Sequence, residues 1–321
     1  MVNLLKMYWV LFTIGLLSIA NGQTCKALSL EGGGSWGAYE AGAIWALANM
    51  TKPGDIQWNV ISGISVGALN TGALVQFPMG QEVAMSEFLL SVWNNLQNNS
   101  QIYVEWKGGL IDGLLFQRGL YNTAPLQELV TRNFIYPIQR NFSVGSTNLD
   151  TGMLNTFNNS IGNAAIDAVM CSSAVPFVFP PHIFEGHAMA DGGCIVNQDV
   201  FSAIGRCLEI ATEPNIIVDM IFDCPYASLG NDTQFKTLDV FSRTFDIIRY
   251  DNSVWYTYNA MVAYPQVHFR HIIHPSTSFP GGLPLNFTQY NIQFEIQTGI
   301  NDTIHSLNLQ QEEISMKKIS Q

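Results

Sequence analysis

The chain has 321 residues, 47% of them hydrophobic, enough for one sizeable core built as one large domain or as a domain with an appended lobe. Charged residues make up only 12%, yet the formal net charge is −11, which argues against a nucleic-acid partner and against steering to strongly anionic membranes. Aromatic and aliphatic residues run along the whole length, so the acidity does not belong to a disordered tail.

The N-terminus reads as an address. Lys6 precedes the apolar run MYWVLFTIGLLSIA, which ends in the small residue Ala20, with Gly22 two residues further on. This is the pattern of a secretory signal peptide over residues 1–22, with cleavage expected after Gly22 and Ala20 as the alternative. The run is shorter than the roughly 20 apolar residues of a membrane-spanning helix. Seven Asn-x-Ser/Thr sequons begin at Asn49, Asn98, Asn141, Asn158, Asn231, Asn286 and Asn301, and together with the signal they fit the secretory route to a secreted or lumenal, vacuolar or lysosomal, protein. Asn49 is the weakest acceptor, because it falls on an early helix.

Elements follow in chain order. KALSL (26–30) is a short buried strand, and SWGAYEAGAIWALANM (35–50) is a helix with a small-residue face. WNVISGIS (58–65) is a second strand, and VGALNTGALVQF (66–77) a second helix. Strands alternating with helices predict a mostly parallel sheet covered on both faces. In YNTAPLQELVTRNF (121–134), Asn122 or Thr123 caps a helix and Pro125 suits its first turn. NFSVGSTNLDTGMLNTF (141–157) predicts two strands joined at the DTG turn. AAIDAVMCSSAVPFVFPP (164–181) reads as a short helix ended by proline, and HAMADGG (187–193) as a strand running into a glycine turn. NIIVDMIF (215–222) is a late buried strand, and helical pattern then dominates until the strand QVHFRHIIHP (266–275). From Asn301 the chain is a polar tail. No repeat, linker or domain boundary divides residues 23–321.

Five cysteines, Cys25, Cys171, Cys194, Cys207 and Cys224, allow at most two bridges, and Cys207 with Cys224 is the expected pair. No pair has the spacing of a metal site. Cys171 and Cys194 are either packed small hydrophobes or reactive thiols.

GISVG (63–67) fits a nucleophile elbow, with Ser65 on a sharp strand-to-helix turn and Gly63 and Gly67 giving it room. The helix that follows points its positive end at the reaction centre. An α/β-hydrolase places several strands before its nucleophile and needs a late histidine, whereas one strand, a glycine loop and one helix precede Ser65.

The ordered motifs GGGSWG (32–37), GISVG and DGG (191–193) resemble those of the patatin-like phospholipases. GLYNTAPLQELV, STNLDTG and SSAVPFVFPP extend the resemblance over residues 27–200. It implies a three-layer α/β/α sandwich with a central, mainly parallel sheet, and a lipid acyl hydrolase acting through a Ser65–Asp191 dyad without histidine. Gly32, Gly33 and Gly34 would form the oxyanion hole, with Gly33 and Gly34 the leading donors. Gly37, Gly192 and Gly193 would support the motifs, and Asn197 stands where the family often has an asparagine that supports the loop. One departure is Trp36, where the family often carries a basic residue.

The reading expects no metal and no organic cofactor, since the dyad supplies both nucleophile and base. Its partner is a lipid at a neutral or zwitterionic membrane or micelle surface. His187 lies four residues before Asp191, but a histidine triad is not expected. On a strand, His271 faces away from His268 and His274, so they do not share a metal. The aromatics of FVFPPHIF (177–184) either line an acyl groove or pack in the core. Two other functions fit the motifs: a glycosylated storage or binding protein on the same fold, and an acyltransferase that gives the acyl group to an alcohol or lysolipid.

Overall fold

The computed structural model describes residues 22–225, 234–280 and 284–319. The expected signal peptide, apart from Gly22, and the sequon at Asn231 lie outside the described residues.

The elements are β1 (Cys25–Leu30), α1 (Gly37–Met50), β2 (Val60–Ile64), α2 (Val66–Leu74), α3 (Glu82–Asn94), β3 (Val104–Glu105), α4 (Gly109–Phe116), β4 (Tyr121–Asn122), α5 (Ala124–Asn133), β5 (Asn141–Asn148), β6 (Met153–Asn158), α6 (Ala165–Ser172), β7 (His182–Phe184), β8 (His187–Asp191), α7 (Val200–Leu208), β9 (Ile216–Ile221), α8 (Thr237–Ala263), β10 (His268–Ile273) and α9 (Gln289–Ile319). Eight strands form one sheet in the order β10-β9-β1-β2-β5-β8-β7, with β6 on the other edge of β5. β10, β9, β1, β2 and β5 are parallel. β6 and β8 run antiparallel to β5.

Side chains alternate across the sheet, as a strand requires. Leu28, Leu30 and Ile61 enter a large core with α1, α2, α3, α6 and α9. Cys25, Ala27, Val60, Val218 and Met220 face the opposite side, where α7 and Ala260 of α8 cover them. The fold is therefore a three-layer α/β/α sandwich with a mixed, mostly parallel central sheet. The small-residue face of α1 serves a close helix crossing, since a Cβ on Gly42 would lie 2.1 Å from the Ile296 carbonyl oxygen of α9.

Three expectations need correction. The chain from Asn301 is no separate tail, because α9 runs through it from Gln289 to Ile319. Cys207 bridges to Cys25, not to Cys224. The register explains this: Cys25 pairs with Ile216 at the start of β9, beside α7, whereas Cys224 lies past Ile221 at the far end. Cys171 and Cys224 are buried free thiols, and Cys194 is exposed rather than packed. Among the described sequons, Asn49, Asn98 and Asn301 are exposed, while Asn141, Asn158 and Asn286 are half-buried. Asn49, the weakest candidate by sequence, sits in the accessible last turn of α1.

Candidate active site

The site is made where two strands end head to head on one edge of β5. β2 runs parallel to β5 and finishes with Ile64 opposite Gly145. β8 runs the other way and finishes with Asp191 opposite Ser146. Neighbouring residues of β5 thus set the two chain ends beside each other.

Ser65 follows β2 directly, with φ 54° and ψ −120°. A residue with a side chain is strained in that region, and the strain marks the elbow. The turn closes only over glycine: a Cβ on Gly63 would lie 2.2 Å from the Gly67 carbonyl oxygen, and one on Gly67 would lie 2.6 Å from that of Glu31. The Ser65 amide donates to Ser172 Oγ at 2.9 Å, and that hydroxyl donates to the Gly145 carbonyl at 2.6 Å, so the elbow is pinned to β5.

Asp191 is buried and accepts a hydrogen bond from the Gly193 amide at 2.8 Å, and the Ser65 hydroxyl stands near enough to bear on its carboxyl. Burial pushes its carboxyl up to about 6, against the pull of Ser65, the Gly193 amide and the Arg249 charge. It is a carboxylate poised near neutrality. Gly192 fits tightly under it, since a Cβ there would lie 2.4 Å from the Gly145 carbonyl oxygen.

The glycine loop passes beside Ser65. A Cβ on Gly32 would come within 3.0 Å of Ser65 Cβ. The Gly32 amide donates to the Asn197 carbonyl at 3.1 Å, so it is already engaged and does not face an incoming oxyanion. Gly34 adopts φ +59°, and a side chain there would strike the Pro284 carbonyl. Gly37 opens α1 against Val66, where a Cβ would lie 2.3 Å from Cγ2.

Behind the loop lies a brace of which the sequence announces only Asn197. Asn197 Nδ2 donates to the Gly32 carbonyl at 2.9 Å and to Glu31 Oε1 at 3.2 Å. The other Glu31 oxygen accepts the Asp223 and Cys224 amides, both at 2.8 Å, and Ser253 of α8 donates a short hydrogen bond to Oε1. Asn252 accepts the Asn197 amide at 2.8 Å. Burial pushes the Glu31 carboxyl up, and Ser253, the two amides and Arg249 pull it back. Asp223 packs on Gly33, where a Cβ would lie 2.2 Å from a carboxyl oxygen. Burial first, then the Glu31 charge, holds Asp223 well above the usual carboxylate range.

Trp36 leaves no basic side chain on the loop itself, but a cation arrives from α8. The Arg249 guanidinium lies 4.9 Å over the Trp36 ring, pairs with Asp246 at 3.5 Å and places its charge within reach of Asp191.

His187 bonds to Asp150 at 2.7 Å and His182 to Asp167 at 2.9 Å, both away from the dyad. His271 is buried on β10, while His268 and His274 are exposed.

The sequence model of the patatin-like phospholipases matches residues 28–204. The chain belongs to this family. A crystal structure of VipD from Legionella pneumophila is similar at a TM-score of 0.42 and 13% identity, covering 90% of this chain and 67% of that one. No curated protein matches the sequence. Family membership places the chain among lipid acyl hydrolases.

A patatin-like enzyme has to receive an acyl chain, and an apolar cavity starts at Ser65 and Gly34. Val66, Leu69, Leu89, Trp93, Leu126, Val130, Val175, Phe179 and Phe287 line it. The FVFPPHIF aromatics therefore divide: Phe179 lines the cavity, and Phe177 is exposed. Of the residues that sequence reasoning missed, Glu31 and Asp223 were visible as acids ending apolar strands. Arg249, Asn252 and Ser253 carry no such signal, because only the packing of α8 brings them to the loop.

Proposed function

We propose that this patatin-like chain is a serine-type lipid acyl hydrolase of the secretory pathway that works through Ser65 and Asp191. The observation that carries this reading is the juxtaposition of Ser65 and the buried Asp191 at two facing strand ends, with Ser65 at the head of an apolar cavity. Ser65 Oγ attacks an ester carbonyl and passes its proton to Asp191, which is ionised at neutral pH. The Gly33 and Gly34 amides stabilise the negative charge on the former carbonyl oxygen, with the start of α1 behind them. Asp191 returns the proton to the leaving alcohol, and an acyl-enzyme remains. Asp191 then takes a proton from water as it attacks that ester and returns it to Ser65 Oγ as the fatty acid leaves, so that Ser65 and ionised Asp191 are regenerated. No step calls for a cofactor.

The apolar lining supports a fatty acyl chain as the bound part of the substrate. The Cys25–Cys207 bridge, the exposed sequons at Asn49, Asn98 and Asn301, and the N-terminal pattern support an oxidising, secretory location.

The test is labelling of the purified protein by a fluorophosphonate, beside Ser65→Ala and Asp191→Asn. Labelling is expected in the parent alone, with fatty acid released from phospholipid. Labelling that survives Ser65→Ala would overturn the nucleophile. Folded parent protein that takes no label would point to a binding or storage role. Acyl transfer exceeding free acid when a lysolipid is supplied would make the chain a transferase.

A further inference from the structure

α4 is built inside out. Its inward side is Gly113, where an added Cβ would lie 2.3 Å from the Leu120 carbonyl oxygen. Its outward side carries Leu110, Ile111, Leu114 and Leu115, with Phe116 at the end, and their exposures run from 46% at Leu110 to 77% at Phe116. At helical spacing the four aliphatic residues fill one continuous arc of roughly 140°. A helix of a globular protein points such an arc at the core. Here the arc points at solvent, and the only charge on the helix, Asp112, is held to its flank by Gln117 at 3.3 Å.

The strands that carry α4 tie it to the cavity. The Leu120 and Tyr121 amides donate to the Phe177 and Val178 carbonyls, both at 3.0 Å. Phe177 is 59% exposed and adopts φ 70°, a region that disfavours a bulky side chain. Its neighbours Val175 and Phe179 line the cavity that starts at Ser65. Trp106 fixes the turn by donating to the Gly119 carbonyl at 3.0 Å. The outward arc and Phe177 therefore belong to one structural unit with the cavity wall.

Charge selects the occupant. Segment 104–121 carries Glu105, Lys107, Asp112 and Arg118, two acids and two bases, while the whole chain stands at −11. An anionic surface is repelled by that balance, and an apolar helix flanked by charges of both signs suits a zwitterionic interface. We propose that α4 and Phe177 insert into the surface of a zwitterionic phospholipid bilayer or micelle and hold the cavity against it. This rests on the lipid acyl hydrolase reading, since continuity with an acyl cavity is what favours lipid over protein as the occupant.

The experiment compares the parent with L115D/F116D and with Ile111→Ser in two assays, sedimentation with phosphatidylcholine vesicles and hydrolysis of a soluble short-chain ester. The double variant is expected to bind vesicles on the order of 100-fold more weakly, with Ile111→Ser in between. Hydrolysis of vesicle lipid falls with binding, while soluble-ester hydrolysis stays within about 2-fold of the parent. Equal vesicle binding by all three proteins overturns the proposal. So does a parent that cleaves the soluble ester without binding vesicles, or one that binds only when anionic lipid is added. A parent dimer that L115D/F116D dissociates would make the occupant a second copy and overturn it too. If the parent binds vesicles through α4 but cleaves neither ester, the docking surface stands and the hydrolase reading falls.

Discussion

Ser65 and Asp191 stand beside each other because they arrive from strands that run toward each other along one edge of β5 and end opposite neighbouring residues, Gly145 and Ser146. On the proposed mechanism Asp191 is the group whose titration the reaction feels. Its carboxyl sits at about 6 in the folded protein, raised from 3.8 chiefly by burial. Only the ionised form accepts the serine proton. Activity toward a soluble ester is therefore expected to rise about tenfold per pH unit below pH 6, and to level off above it. Arg249 supplies a positive charge that favours ionisation of Asp191. In Arg249→Gln the acidic limb of kcat/KM moves to higher pH. A limb that stays in place would show that the guanidinium charge does not reach the dyad.

The brace behind the glycine loop predicts a defect in turnover rather than in binding. Asn197 holds the Gly32 carbonyl and Glu31 at once, and neither partner lines the acyl cavity. Asn197→Ala leaves the Gly33 and Gly34 amides loosely aimed. Steady-state kinetics on the soluble ester are expected to show kcat lower by about 100-fold, with KM within about 3-fold of the parent. A rise in KM at constant kcat would place Asn197 in substrate binding instead.

Much of this fold was legible because its residues obey simple periods. KALSL, WNVISGIS and NIIVDMIF are short apolar runs next to glycine or polar breaks, and they became β1, β2 and β9. The motif glycines were legible because backbone meets backbone there, as between Gly63 and Gly67. Sequence reasoning assigned no element to α3 or to the β3-α4-β4 unit. In α4 the reason is physical: its leucines face outward, so no polar face gives it an amphipathic signature. The disulfide was misread because sequence proximity favoured Cys207 with Cys224, whereas the parallel register of β1 and β9 sends them to opposite ends of the sheet. Apart from Asn197, the Glu31 brace was invisible because it joins residues 166, 192 and 222 positions apart.

The bridge itself carries a prediction. Cys25 and Cys207 are separated by 182 residues, so the bond closes a long loop in the unfolded chain. Chain entropy puts its contribution at about 5 kcal/mol at most. Cys25→Ser/Cys207→Ser is expected to melt roughly 5–15 °C below the parent, and reductant should lower the parent to the same point. Cys224→Ser should keep the sensitivity to reductant. Calorimetry with and without reductant checks all three.

Glu295 predicts how stability varies with pH. It lies fully buried on α9, and among the described residues neither of its carboxyl oxygens has a hydrogen-bond partner. Burial first, then the Asp223 charge, raises it from 4.5 to about 9. The folded protein thus holds this proton where the unfolded chain releases it. Its favourable contribution is complete below about pH 4.5 and is lost as pH rises toward 9. Glu295→Gln keeps the neutral shape and removes the titration. At pH 8 the variant is expected to be more stable than the parent by on the order of 3 kcal/mol, and at pH 5 by under about 1 kcal/mol. Urea denaturation at the two pH values measures the difference. A gain of equal size at both would mean that the side chain is ionised throughout or never titrates, and that its burial has another origin.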